Sequence, residues 1–194
     1  MVEKMTAQEH MDRNAKSKKM LLWFAMISMF MTFAGLTSAY VVSASRPDWL
    51  NDFKLPQAFV ISTVVIFLSS ITFHMAKTFV KKGNNSMAGT MLLATLALCI
   101  AFVFCQFHGF NEIIENGYFF TGSESSVTTS FVYIVIVVHM AHLFAGLIVL
   151  LVVIYNHFKQ KYNPSQTLGI ELGAMFWHFL DVLWVYLFLF LYFY

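Results

Sequence analysis

Long apolar segments separated by short polar stretches dominate the pattern of this chain. Five such segments lie near residues 19–44, 57–76, 87–108, 129–156 and 171–193. Each reaches the length of about 20 residues that a helix needs to cross a hydrocarbon core of about 30 Å. The pattern therefore predicts an all-α membrane protein, in which residues 18–194 form a single bundle of five transmembrane helices behind a polar tail at residues 1–17.

The composition supports a membrane protein and narrows the possible partners. Hydrophobic residues make up 59% of the 194 residues and charged residues only 11%, whereas soluble domains carry about 25% charged residues. A net charge of +2 is too small to suggest a nucleic-acid partner. Cys99 and Cys105 lie in one apolar segment, where we expect small buried side chains and neither a metal pair nor a disulfide.

Basic residues fall mostly on one side of the predicted bundle. The tail and the second and fourth connections share that side, and only Arg46 and Lys54 fall on the other. The first side holds ten: Lys4, Arg13, Lys16, Lys18, Lys19, Lys77, Lys81, Lys82, Lys159 and Lys161. Because cytoplasmic loops are enriched in Lys and Arg, this predicts a cytoplasmic N-terminus. Five crossings then place the C-terminus outside, on the periplasmic side.

Polar residues interrupt the apolar segments at a few positions that need an explanation. An Asp at the centre of a spanning helix costs about 2.5–3.5 kcal/mol, so the last segment must turn a polar face toward protein, lipid headgroups or water. His178 and Asp181 are three residues apart and share a face, as do His139 and His142 on the fourth segment. The candidate set is Glu112, His139, His142, Glu171, His178 and Asp181.

The depths of these residues predict that they meet. With a rise of 1.5 Å per residue, His142 is level with His178 and His139 is level with Asp181 on neighbouring antiparallel helices. We therefore predict one interhelical hydrogen-bonded cluster. Three roles remain open for it: attachment of helix to helix, a lipid-headgroup or proton-linked role, and a metal or haem site. Two His residues three apart on one helix suit a haem plane poorly.

Small residues mark positions where another helix can approach closely. On the first segment they recur at spacings of three and four residues, and the approaching helix could belong to this chain or to a partner. The candidate helix-packing residues are Ala25, Ser28, Thr32 and Gly35, together with Gly146 and Gly173 on the later segments.

Three motifs in the second half of the chain carry a family resemblance. Gln106 and Glu112 lie at the third-to-fourth junction. Ser130 precedes His139-Met140-Ala141-His142-Leu143-Phe144-Ala145-Gly146, and Glu171 precedes Trp177-His178-Phe179-Leu180-Asp181-Val182-Leu183-Trp184. In this order the motifs resemble subunit III of the haem–copper terminal oxidases, in its short five-helix bacterial form. Many members carry a buried Glu where this chain has Met29, so no role of that Glu is transferred.

The resemblance implies an accessory subunit with no catalytic, cofactor-binding or metal-ligating residue of its own. Haems and copper are expected in the partners, which are a large catalytic subunit I, a copper-bearing subunit II and a small subunit IV, with a respiratory supercomplex as a wider assembly. Such a chain binds phospholipid and supports assembly, sustained turnover and proton uptake. The complex is a cytochrome c oxidase of the bacterial inner membrane, which reduces dioxygen to water and pumps protons.

Other functions stay open at this point. A quinol oxidase subunit or a nitric-oxide-reductase-associated homologue would have a similar chain, because the electron donor and acceptor sites lie on other subunits. A membrane b-type cytochrome would use the histidines for haem, and a small proton-coupled transporter would use His and Asp as a relay.

Overall fold

The computed structural model describes residues 7–47, 49, 50, 55–122, 126–162, 164 and 166–193. These residues contain five helices that are long and apolar enough to span a membrane. They are α1 (Ala7–Ser43), α2 (Gln57–Lys81), α3 (Asn85–Glu115), α4 (Val127–Phe158) and α5 (Leu168–Phe193). The predicted all-α bundle of five transmembrane helices is confirmed.

Helix α1 begins earlier than the apolar pattern indicates. It includes residues 7–17, which were predicted to belong to a polar tail. The division into a tail and a transmembrane domain stays a prediction. Lys4 and Lys54, which enter the count of basic residues, lie outside the described residues.

Short polar motifs set the ends of the helices. After α2, Gly83 adopts a left-handed φ of 76°, and its amide donates to the Val80 carbonyl while the Asn84 amide donates to the Phe79 carbonyl. This pair of bonds is a Schellman motif, which satisfies carbonyls that the helix end leaves free. The Asn84 side chain then accepts from the Met87 amide and begins α3. The second connection is therefore a tight turn that makes α2 and α3 antiparallel neighbours.

Helix α5 occupies the centre of the bundle and α1 its periphery. Helices α1, α2 and α4 all pack against α5. Half of the apolar window of α5 is buried inside the bundle, against 17% for α1. Helix α1 turns large apolar side chains outward, among them Trp23, Phe24 and Met31. In a membrane that face meets lipid or another subunit.

Trp184 of α5 joins four helices in the core. Its side chain is 1% exposed, and its Nε1 donates a hydrogen bond of 3.1 Å to Thr63 Oγ1 on α2. Its ring lies edge-on to Phe102 of α3 at 5.3 Å and 4.9 Å from the His139 ring of α4. A buried Trp whose N–H has a partner contributes both area and orientation.

The predicted helix-packing residues divide into two groups. A Cβ added at Gly146 would lie 2.5 Å from Leu180 Cδ1, and one at Gly173 would lie 2.8 Å from Val153 Cγ2. These two glycines therefore lie where α4 and α5 approach closely. The α1 residues are exposed: Ala25 borders a groove that α1 forms with α4 and α5, and a Cβ at Gly35 would meet nothing within 4 Å. The exposed set is Ala25, Ser28, Thr32 and Gly35.

Candidate functional site

An ionic cluster ties three helices together at one end of the bundle. Glu171 of α5 lies 2.7 Å from Lys81 Nζ of α2 and 3.5 Å from Lys19 Nζ of α1. The Thr167 hydroxyl also donates to Glu171 Oε1, at 3.0 Å. The start of the chain, the second connection and the fourth connection therefore meet at the same end of the bundle. We call this the basic end.

We expect Glu171→Gln to lower the stability of the chain only modestly, by about 0.2–1 kcal/mol. The Lys19 and Lys81 side chains are 44% and 49% exposed, so solvent and salt screen the pairs. Thermal unfolding of the purified chain at low and high ionic strength measures the effect, which should shrink in high salt.

A double-mutant cycle separates the ion pair from other effects of Glu171→Gln. Combining it with Lys81→Gln should cost less than the sum of the two single changes, because both remove the same pair. Lys82→Gln, one residue beyond α2, is the matched control and should be near neutral. Full additivity would contradict the pairing.

His178 and Asp181 turn toward α2. His178 Nδ1 lies 2.6 Å from the Ser70 hydroxyl oxygen, and its ring lies 5.9 Å from the His74 ring. Asp181 is 5% exposed and lies beside Ser70 of α2 and Cys99 of α3. Neither Asp181 oxygen has a hydrogen-bond partner among the described residues.

These contacts lie along one seam between two helices, with about 10 Å of helix between the Glu171–Lys81 pair and His178. From the basic end inward, the α2 side presents Lys81, His74 and Ser70, and the α5 side presents Glu171, His178 and Asp181. We call these six residues the α2–α5 polar seam. Asp181 is ten residues along α5 from Glu171, which corresponds to about 15 Å of helix, so the seam reaches the middle of a membrane.

His139 and His142 occupy a different place, between α4, α1 and α5. His139 is fully buried, with its ring 4.9 Å from Trp184 and 6.3 Å from Phe33. Neither of its nitrogens has a partner within the described part of the chain. His142 Nδ1 donates to the Val138 carbonyl of its own helix at 2.7 Å, and Phe33 lies 5.5 Å from its ring.

Glu112 lies apart from the other five candidates, near the opposite end of α3. It lines two shallow pockets together with His108, one on the surface of α3 and one between α2 and α3. Gln57 and Cys105 complete the wall of one pocket, and Asn111 and Glu115 complete the wall of the other.

The prediction of one hydrogen-bonded cluster is therefore wrong for the described residues. The structure separates the candidates into the α2–α5 polar seam, the His139–His142 site and Glu112. His139 lies against Trp184, about one helical turn beyond Asp181. The predicted depths of His139 and His142 were wrong because α4 is longer than the membrane core. It has 32 residues, about 48 Å of helix, so the sequence did not fix where it enters a core of about 30 Å. Both α5 residues also face α2 and not α4.

The polar face of α2 was not predicted from sequence. Both tryptophans of the last motif donate to hydroxyls on this helix: Trp177 Nε1 to Ser69 Oγ at 3.0 Å and Trp184 Nε1 to Thr63 Oγ1. Gln106 of α3 donates to Ser62 Oγ at 3.0 Å. The signal was available, because Ser62 and Ser69 are seven residues apart in an apolar helix and therefore share a face.

The buried polar groups do not gather into an evident metal site. Within the ranges that the structure describes, no three His, Cys, Asp or Glu side chains come together in a way that could hold a metal ion. The polar groups that do meet are suited to hydrogen bonding between helices and to the exchange of protons.

Comparison with known proteins agrees with the motifs. The sequence profile of the family described as "Cytochrome c oxidase subunit III" matches residues 2–194. Cytochrome c oxidase subunit 3 of Corynebacterium diphtheriae is 29% identical over 170 residues, covering 84% of this chain and 81% of the relative. Cytochrome bo(3) ubiquinol oxidase subunit 3 of Pseudomonas aeruginosa is 28% identical over 170 residues, covering 86% and 79%.

A third relative covers still more of the chain. Cytochrome c oxidase subunit 3 of Thermostichus vulcanus is 26% identical over 190 residues, covering 96% of this chain and 92% of the relative. The resemblance inferred from the three motifs is thus confirmed over nearly the whole length. The chain belongs to the cytochrome c oxidase subunit III family, the subunit III family of the haem–copper oxidases.

Proposed function

We propose that this chain is a non-catalytic subunit III of a respiratory cytochrome c oxidase, which reduces dioxygen to water and pumps protons. The observation that carries the proposal is the family match over residues 2–194. The geometry is consistent with an accessory role, because the buried polar groups serve helix contacts. In this role the chain stabilises the catalytic subunit and supports proton uptake.

A ubiquinol oxidase is the second candidate. The Pseudomonas aeruginosa relative bears that name, whereas the Corynebacterium diphtheriae and Thermostichus vulcanus relatives are named as cytochrome c oxidase subunits. The electron donor binds to other subunits in either case, so the identity of those subunits decides between the two.

The partners that we propose are a catalytic subunit I, a copper-bearing subunit II and a small subunit IV, in a bacterial inner membrane. The outward apolar face of α1, with its small residues, suits contact with such helices. The ionic cluster supports the proposed orientation, because it brings the lysine-rich connections to one end. By the positive-inside rule that end faces the cytoplasm.

We also propose that phospholipid lies in the groove between α1, α4 and α5. This groove has a volume of about 500 Å³, and Leu22, Ala25 and Met29 of α1 form one apolar wall. Tyr162 closes it at the basic end, where burial raises the pKa of its phenol and a hydrogen bond with Asn156 acts in the opposite direction. An apolar groove that ends in a neutral phenol suits an acyl chain and its headgroup.

We expect a tagged chain, purified gently from its native membranes, to bring down a large haem–copper subunit and a copper-bearing subunit. The tag is placed at the N-terminus, and mass spectrometry identifies the co-purifying chains and extracted lipids. A subunit II with a copper site would assign a cytochrome c oxidase, and one without it a quinol oxidase.

Three outcomes would contradict the proposal. Recovery of the chain alone would contradict the proposed association with oxidase subunits. A Soret band that stays with the isolated chain would favour a b-type cytochrome and return attention to His139, His142 and His178. Proton-coupled transport by the chain alone in liposomes would favour the transporter.

A further inference from the structure

We infer that Asp181 is a proton-binding site inside the bundle, which exchanges protons with the basic end of the molecule along the α2–α5 polar seam. This inference concerns groups within the chain itself. It therefore does not depend on which oxidase the chain serves.

The first observation is that no cation is found beside Asp181 among the described residues. A carboxyl group with 5% exposure, whose polar neighbour is the Ser70 hydroxyl, is costly as an ion in apolar surroundings, so a proton taken up there is held. Among the elements around it, α2 contributes Ser70 and α3 contributes Cys99. Neither is a positive charge that would compensate a carboxylate.

The second observation is the short connection from Asp181 to an imidazole. Ser70 lies beside Asp181, and its hydroxyl oxygen is 2.6 Å from His178 Nδ1. A hydroxyl group can accept one proton and donate another, so Ser70 can relay between the two titratable groups. His178 Nε2 is buried and has no hydrogen-bond partner within the described residues, so this nitrogen can take up a proton.

The third observation is that further titratable groups lie between His178 and the basic end. The His74 ring lies 5.9 Å from the His178 ring, and the His74 side chain is exposed on the surface of the bundle. Lys77 of α2 also acts on His178 through its charge, and one helical turn farther out Lys81 pairs with Glu171 at 2.7 Å. Titratable groups therefore follow one another from the basic end to the middle of the bundle.

The proton transfer along this line is balanced. A proton leaves His178 Nδ1 for the Ser70 oxygen while the Ser70 hydroxyl proton passes to an Asp181 carboxylate. His178 ends neutral, Asp181 ends as the neutral acid and Ser70 is unchanged. The His178 cation forms beforehand, when neutral His178 with its proton on Nδ1 takes up a second proton at Nε2 from the side of His74. After the transfer the remaining proton is on Nε2, and the reverse sequence unloads the site. Because the described seam ends at Asp181, the site loads and unloads through the same end.

Infrared difference spectroscopy during exchange from H₂O to D₂O tests this inference. The sample is the chain purified from its membranes with the subunits that accompany it. We expect a C=O stretch of a neutral carboxyl group that shifts in D₂O and is lost in Asp181→Asn. His178→Phe should slow the shift roughly ten-fold or more, because it removes a proton-transfer group.

The controls separate the relay from general effects on the fold. His142→Phe, on α4 and away from the seam, should leave the rate of the shift unchanged. Ser70→Ala is the second relay variant and keeps the test valid if His178→Phe does not assemble. An unchanged rate in both relay variants would overturn the inference, and so would the absence of any band that depends on Asp181.

Discussion

Trp184→Ala is expected to destabilise the bundle by about 3–5 kcal/mol, the range for loss of a buried aromatic side chain. The indole is in contact with α2, α3 and α4 at once, so its removal leaves a cavity that no single helix can close. The Thr63 hydroxyl also loses its donor. This is the largest effect that we expect from a single change in the chain.

Thermal unfolding of the purified chain, followed by loss of the monodisperse species, measures this effect. Trp23→Ala is the matched control, because Trp23 is 55% exposed on the outer face of α1. It removes the same side chain without creating an internal cavity. Equal losses from the two changes would contradict a core role for Trp184. A loss confined to Trp23→Ala would contradict the outward position of Trp23.

Gly146→Leu is expected to destabilise the contact of α4 with α5 by about 3 kcal/mol, at the upper end of the range for overpacking. Even a Cβ would lie 2.5 Å from Leu180 Cδ1, and the Trp177 and Phe176 rings follow at 3.7 and 3.8 Å. A leucine side chain must displace Leu180 and at least one of these rings. The two helices would therefore separate locally.

Gly35→Leu provides the comparison for this change. Both glycines were predicted as helix-packing residues from sequence, but a Cβ at Gly35 meets nothing within 4 Å. We expect Gly35→Leu to leave the thermal unfolding of the chain itself unchanged. A destabilisation as large as that of Gly146→Leu would contradict the outward position of Gly35.

The helices could be predicted from sequence because length and apolarity are properties of each segment alone. All five predicted segments lie within helices of the structure or extend one residue beyond them. The family could also be predicted, because its motifs are local runs of residues such as the one from Trp177 to Trp184. The start of α1 could not, because the polar residues before the apolar segment continue the same helix.

The grouping of the polar residues was not accessible in the same way, because it depends on two quantities that no single segment contains. One is the axial position of α4 relative to α5, which the contacts at Gly146, Gly173 and Trp184 fix. The other is the rotation of α5 about its axis, which directs His178 and Asp181 toward α2. Spacings of three residues identify a shared face but not its neighbour.

The small residues of α1 are a second case in which the sequence does not identify the neighbouring helix. Ala25, Ser28, Thr32 and Gly35 share a stripe that favours close helix contact, and the structure places the stripe on the outside. A pattern of this kind encodes a contact surface without encoding which helix covers it.

The central position of α5 has a consequence for how the protein is made. It is the last of the five helices in chain order, and it supplies the surface on which α1, α2 and α4 pack. During synthesis from the N-terminus, the earlier helices enter the bilayer before Trp177 and Trp184 exist. The hydroxyls of Ser69 and Thr63 then lack the donors that they have in the finished bundle. Until α5 enters the bilayer, the nascent chain therefore lacks the bonds that connect α2 to these tryptophans, although α2 and α3 can already pack against each other.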